Sequence, residues 1–169
     1  QAGFQTGEEA ECGWDHGVFI PMMVALPDAD IPVAQLSLCV PNRHADYDPG
    51  MHIRAGEALA PLREEGVLII GSGMSFHNLR LIGAPIEQAT EEFDEALTGI
   101  VTLRDAQARN SGLTTWADLP HARTAHPPGG GEDHLIPLMV AAGAAREDRG
   151  IRTYKDSVLG WTVSAYQFG

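Results

Sequence analysis

The chain has a single lysine, Lys155, and only 11 lysines and arginines in all, against 23 aspartates and glutamates. Its formal net charge is -12 and its pI is near 4.8. Affinity for nucleic acid comes chiefly from cations that displace counterions from phosphates, and few are on offer here. DNA and RNA are set aside as partners, and an anionic membrane surface with them. No apolar run reaches the length of a membrane span, and no basic-then-apolar stretch opens the sequence. Cysteine is scarce too: Cys12 and Cys39 make no C-x-x-C pair and no disulfide framework. Two idle thiols suit a reducing compartment, so a cytoplasmic protein is expected. The sequence opens Gln1-Ala2-Gly3-Phe4 without methionine, which reads as a fragment or a processed chain.

What is present is the composition of a globular domain, 44% hydrophobic and 20% charged over 169 residues. A chain of this size buries roughly 70% of its unfolded surface, enough to hold a core without a metal. A metal would therefore serve chemistry. Apolar runs alternate with helical patterns, so the expected fold is a single α/β domain over residues 1–169. Its central sheet is mostly parallel or mixed and is flanked by helices. Residues 18–27 read as helical after Pro21, and residues 31–40, "IPVAQLSLCV", as a buried strand. Residues 48–66 form a helix with Asp48 as N-cap, Pro49 at the first position and Gly66 as the stop. The run "VLIIGSG" at residues 67–73 is the next strand. Residues 86–119 are helical with acidic faces, residues 127–131 a Pro/Gly loop, and an apolar helix starts near Glu132. The ending "LGWTVSAYQFG" is a strand. No internal repeat is present.

The Gly71-Ser72-Gly73 turn lacks what several motifs require. A dinucleotide fingerprint needs a small residue where Phe76 stands, a P-loop needs Gly-Lys-Ser/Thr, and a nucleophile elbow needs G-x-S-x-G. Position is more informative. In open α/β sheets the functional crevice lies beyond the carboxyl ends of the strands, and His77 falls just past one. His16, in an Asp-His-Gly turn, and His134, at the start of the last apolar helix, lie at comparable junctions. His44, His52 and His121 read as structural or surface residues, and His126 as intermediate. Glu132 and Asp133 read as first-turn carboxylates or, beside a histidine cluster, as ligands. Imidazoles with a carboxylate suit Fe(II) or Zn(II), and open positions on such a site suit oxygen chemistry.

Four segments, "GWDHGVFIPMMVALPDADIPVAQLSL", "ALAPLREEGVLIIGSGMSFHNLR", "ARTAHPPGGGEDHLIPLMVAAGAA" and "VSAYQFG", resemble the class III extradiol ring-cleavage dioxygenases of the LigB-type superfamily. They are most similar to its DOPA 4,5-dioxygenase-like branch. The resemblance implies a non-haem Fe(II) enzyme that cleaves a catechol ring with O2 beside its two hydroxyls. His77 in "SFHNLR" matches the family's acid/base histidine, counted in some members as a metal ligand. His16 in "WDHG" matches a second acid/base or substrate-orienting histidine. His134 in "EDHLIPL" matches the C-terminal metal ligand, with Glu132 in reserve because other branches use a carboxylate. Zn(II) in place of Fe(II) is compatible with the same residues. Arg80 and Arg123 stand as candidates either for a substrate carboxylate or for local acidic partners.

The family also carries an N-terminal portion with two further histidine ligands, and neither motif occurs here. The resemblance therefore makes the chain the C-terminal two-thirds of the catalytic domain, without its N-terminal strands. Association with a segment supplying that half, or with a second copy, is expected. Two other classes remain as alternatives: a noncatalytic binding protein on the same scaffold, and a Zn-dependent hydrolase.

Overall fold

A computed structural model of the chain describes residues 3–40, 42 and 45–169. His44 lies outside the described residues. Helix α1 (His16–Ala25) starts where the Asp15 carboxylate accepts the amide of Val18 at 3.1 Å. It thus begins ahead of Pro21, not after it, because the side-chain cap at Asp15 sets the start and the helix tolerates an interior proline. None of its residues is buried, and Met23 and Val24 are 68% and 83% exposed.

Helix α2 (Pro49–Leu59) has the expected cap: Asp48 accepts from the amide of Met51 at 3.0 Å and Pro49 opens the helix. A 3-10 stretch, Ala60–Glu65, continues it to Gly66, whose left-handed φ of +83° closes the end. Helices α3 (Glu87–Val101), α4 (Ala106–Thr114) and the single turn α5 (Ala122–Ala125) follow, then α6 (Ile136–Ala144). Phe93, Leu97 and Val101 lie four residues apart on one face of α3 and are fully buried, with Phe76, Leu113, Ile136 and Met139 around them.

Helices α2 and α6 cross at two glycines. A Cβ on Gly56 would stand 2.0 Å from the Val140 carbonyl oxygen, and one on Gly143 would stand 2.0 Å from that of Ile53. Two arginines cover the far end of α6. Arg63 donates to the carbonyls of Ala144 and Ala145, and buried Arg109 to those of Ala142, Arg146 and Asp148. Cations at the C-terminal end of a helix complement its dipole.

Strands β1 (Gly150–Val158) and β2 (Trp161–Phe168) form an antiparallel hairpin. Its two-residue turn, Leu159 and Gly160, has positive φ at both positions, which matches the twist of the flanking strands. Arg152 and Lys155 on β1 pair with Glu91, Asp94 and Glu95 on α3 and seat the hairpin there.

The predicted parallel or mixed sheet is not formed among the described residues. The hairpin is their only ladder, and residues 31–40 and 67–73 are irregular. A strand is held by hydrogen bonds to a neighbour, and these two apolar runs pair with none among the described residues. Leu36 and Leu68 stand in solvent accordingly, 62% and 80% exposed, while Leu38 packs against the core. No described helix is long and apolar enough to cross a membrane.

Candidate metal and acid/base site

The segment after residue 73 is fastened on every side. The Met74 amide donates to the His134 carbonyl at 3.1 Å, the Ser164 amide to Ser75 Oγ at 2.9 Å, and the His77 amide to the Ala125 carbonyl at 3.3 Å. Asn78 Nδ2 donates to the Thr124 carbonyl at 2.7 Å. Phe76, between them, is fully buried against Phe93 and Trp161. These ties leave His77 little freedom and place its ring on that of His134, stacked with centroids 3.6 Å apart and planes 20° apart. One ligand atom from each of His77, Asp133 and His134 lies within 4.8 Å of the others. Burial, then the neighbouring His134, lowers the pKa of His77, while Asp133 raises it.

The structure thus brings two of the three candidate histidines together. His16 is exposed at the first position of α1, with its ring tilted on Phe19 at 5.0 Å, and is not one of the converging groups. The start of α1 nevertheless lies at the glycine turn, since a Cβ on Gly17 would be 3.8 Å from Ser72 Oγ. Glu132 turns elsewhere. It is 1% exposed, and its Oε1 accepts from Arg123 Nη1 at 2.5 Å. Arg123 also holds Asp46 at 3.2 Å and stacks over Trp116 at 4.9 Å. Burial raises the pKa of Glu132, whereas the Gly129 amide, donating at 2.6 Å, lowers that of Asp46. Arg123 is therefore engaged by local carboxylates, and no ion pair of Arg80 occurs among the described residues.

The carboxylate beside the histidines is Asp133, which the sequence motif did not single out over Glu132. In "GEDHL" only side-chain direction distinguishes the two: Glu132 goes inward to Arg123 and Asp133 outward to the imidazoles. Of the other histidines, His52 is structural as expected. Its Nδ1 donates to the Asp48 carbonyl at 2.7 Å and its Nε2 accepts from the Cys39 amide at 3.1 Å. His121 is on the surface, paired with Glu92. His126 is fully buried and donates from Nε2 to the Ser75 carbonyl at 2.9 Å, directly behind the site.

Two imidazoles and a carboxylate form the donor set of many non-haem iron sites. His134 Nδ1 is in addition buried without a hydrogen-bond partner, as a nitrogen reserved for a ligand would be. The residues present fit a divalent metal.

The LigB signature, described as the catalytic LigB subunit of aromatic ring-opening dioxygenase, matches residues 1–169. Dioxygenase tasH of Hapsidospora irregularis is 43% identical over 171 residues, covering 93% of this chain and 50% of that protein. The 4,5-DOPA dioxygenase extradiol of Beta vulgaris is 35% identical, covering 99% of this chain and 60% of that protein. A crystal structure of an uncharacterized protein of Escherichia coli K12 superposes with a TM-score of 0.77 at 24% identity, over 96% of this chain and 65% of that one. That likeness is one of fold. The chain thus spans one half to three fifths of the length of these two relatives, and with the signature matched over its whole length it belongs to the LigB family.

Proposed function

We propose that the chain is the C-terminal two-thirds of the catalytic domain of an extradiol dioxygenase that opens a catechol-type ring with O2. The observation that carries the reading is the stacked pair His77 and His134 with Asp133 beside it, in a LigB-family chain. His134 and Asp133 are assigned as metal donors and His77 as the proton acceptor. Held by these donors, Fe(II), with Zn(II) as the substitute a purified sample can carry, would supply open coordination positions for a catechol and O2. His77 receives a catechol proton. Its lowered pKa keeps the ring neutral near pH 7, the form that accepts. Stacking on His134 and the bond from its own amide to Ala125 keep the ring from turning away. His16, beside the glycine turn, is assigned to orient the substrate or carry a second proton.

Two donors and a neighbouring imidazole are few for tight binding of a metal, so the proposal includes a polypeptide that completes the site. A groove of about 810 Å³ runs between residues 66–71 and the C-terminal part of β2, floored by Leu135, Leu138 and Ala141, with His134 at one end. A segment that paired with both edges of this groove would reach the histidines. It would also cover Leu68 and Ile70 and bring further donors.

The decisive test is O2 uptake and ring-cleavage absorbance with catechols under aerobic Fe(II), using the protein together with the completing segment. His77→Ala is expected to keep its metal and lose turnover by about 100-fold or more. Loss of metal together with turnover would make His77 a ligand instead. Metal-loaded protein that never consumes O2 with any catechol would end the dioxygenase reading in favour of hydrolysis or binding.

A further inference from the structure

Residues 71–73 explain themselves neither as a phosphate loop nor as a nucleophile elbow, yet two of the three are glycine where side chains cannot fit. A Cβ on Gly73 would lie 2.0 Å from the carbonyl oxygen of His134, 2.9 Å from its carbonyl carbon and 3.2 Å from its Cα. A Cβ on Gly71 would lie 2.5 Å from the carbonyl oxygen of Pro137 and 2.9 Å from its carbonyl carbon. All of these are backbone atoms, so no rotamer change relieves either clash. The chain entering the site must move away from α6 by more than an ångström, or the turn that carries His134 must.

We infer that Gly73, assisted by Gly71, is a positioning residue that seats the backbone of residue 134 against the turn and so brings the imidazoles of His77 and His134 into register. Three residues separate Gly73 from His77, and the ties of this stretch to His134, Ser164 and Ala125 make it one rigid piece. The Met74 amide donates to the very carbonyl that faces Gly73. Donor and contact act on the same atom: the hydrogen bond draws residue 134 in, and the missing side chain at residue 73 lets it arrive. A displacement of an ångström at a site of this kind is enough to uncouple groups that act together.

The inference uses the metal-site reading above for its significance, and its test has a readout independent of metal. In the metal-free protein, the ring protons of His77 and His134 shield one another through the stack and are recorded by NMR. Gly73→Ala is expected to shift both sets downfield while those of His52 stay in place. Gly112→Ala, whose Cβ would meet the Ile100 side chain at 2.8 Å where α4 packs on α3, is the destabilised control and is expected to leave both rings unmoved. Co(II) titration is the second readout. Gly73→Ala is expected to weaken binding about 10- to 100-fold and to change the visible absorption, the range seen when a ligand's supporting partner is removed.

Gly71→Ala has the milder clash and is expected to change both readouts in the same direction by less. It carries the test if Gly73→Ala does not fold. Ring resonances unmoved in the folded variants overturn the inference. Wild-type protein that binds no Co(II) even with the completing segment present, with ring resonances still displaced in Gly73→Ala, ends the metal-site reading and leaves the positioning role intact.

Discussion

At the scale of single residues, His126 shows how burial behind the site turns into a pH dependence of stability. It packs against Trp116 and Phe93 with ring centroids 5.7 and 5.9 Å away, and donates to the Ser75 carbonyl two residues before His77. Burial pushes its pKa down from 6.5 to about 4, and the nearby His77 and His134 push the same way. The backbone of Ser75 and Gly131 opposes them. Folded protein therefore refuses a proton that unfolded chain accepts below pH 6.5. The stability contributed by neutral His126 is complete above that value and is lost progressively as the pH falls toward 4, by about 3 kcal/mol in full. Urea unfolding at pH 7 and pH 4.5 reads this directly, and His126→Gln, which keeps a donor for Ser75, should show a flatter dependence. Equal slopes for variant and wild type would assign the acid sensitivity to other groups.

At the scale of elements, helix α6 is the part on which the rest is assembled. Its first residues adjoin the glycine turn, its middle crosses α2 and its end lies under two arginines. The crossing leaves no room for a methyl group, so Gly56→Ala forces the helices apart and should cost about 3 kcal/mol by urea unfolding. Gly99→Ala, on α3 with nothing within 4 Å of the new Cβ, should instead gain up to about 1 kcal/mol. Elements whose signals are local were legible in the sequence: Asp48, Pro49 and Gly66 bracket α2 and its 3-10 extension, and alternation marks β2. Strand β1, "GIRTYKDSV", was not, because its strand character comes from pairing with β2 and from ion pairs to α3. Residues 31–40 and 67–70 show the converse. Their apolar runs read as strands, but a ladder depends on a neighbour that the run itself does not encode. At the site, His77 and His134 were legible through their motifs. Asp133 was not, because adjacent carboxylates differ only in which way the backbone turns them.

At the scale of the whole molecule, apolar side chains left in solvent are the main feature to account for. Ile20, Met23 and Val24 on α1, Leu36 before α2, and Leu68 and Ile70 beside the groove are all at least half exposed. Unpaired apolar edges of this kind associate. The expected result of size-exclusion chromatography with light scattering is therefore a dimer or larger species, or a stable complex with a polypeptide that pairs along the groove. A well-behaved monomer at low micromolar concentration would count against completion by a partner. With a net charge of -12, any association should tighten as added salt screens the repulsion between copies.

The ion pairs that seat the hairpin on α3 have a consequence for chemistry done to the protein from outside. Lys155 is the only lysine in the sequence, and it is held by Glu91 and Glu95 with Asp94 behind them. Acylating reagents and lysine-directed modifying enzymes thus find one ε-amine, and reaching it means prising it from its carboxylates. Neutralising that amine would leave Arg152 to carry the ion pairing of the hairpin with the acidic face of α3, beside the hydrogen bonds of Thr90 and Thr98 to Thr162 and Tyr166. Attachment of a probe, a support or a regulatory group through lysine is therefore also an intervention in how the C-terminal hairpin is held.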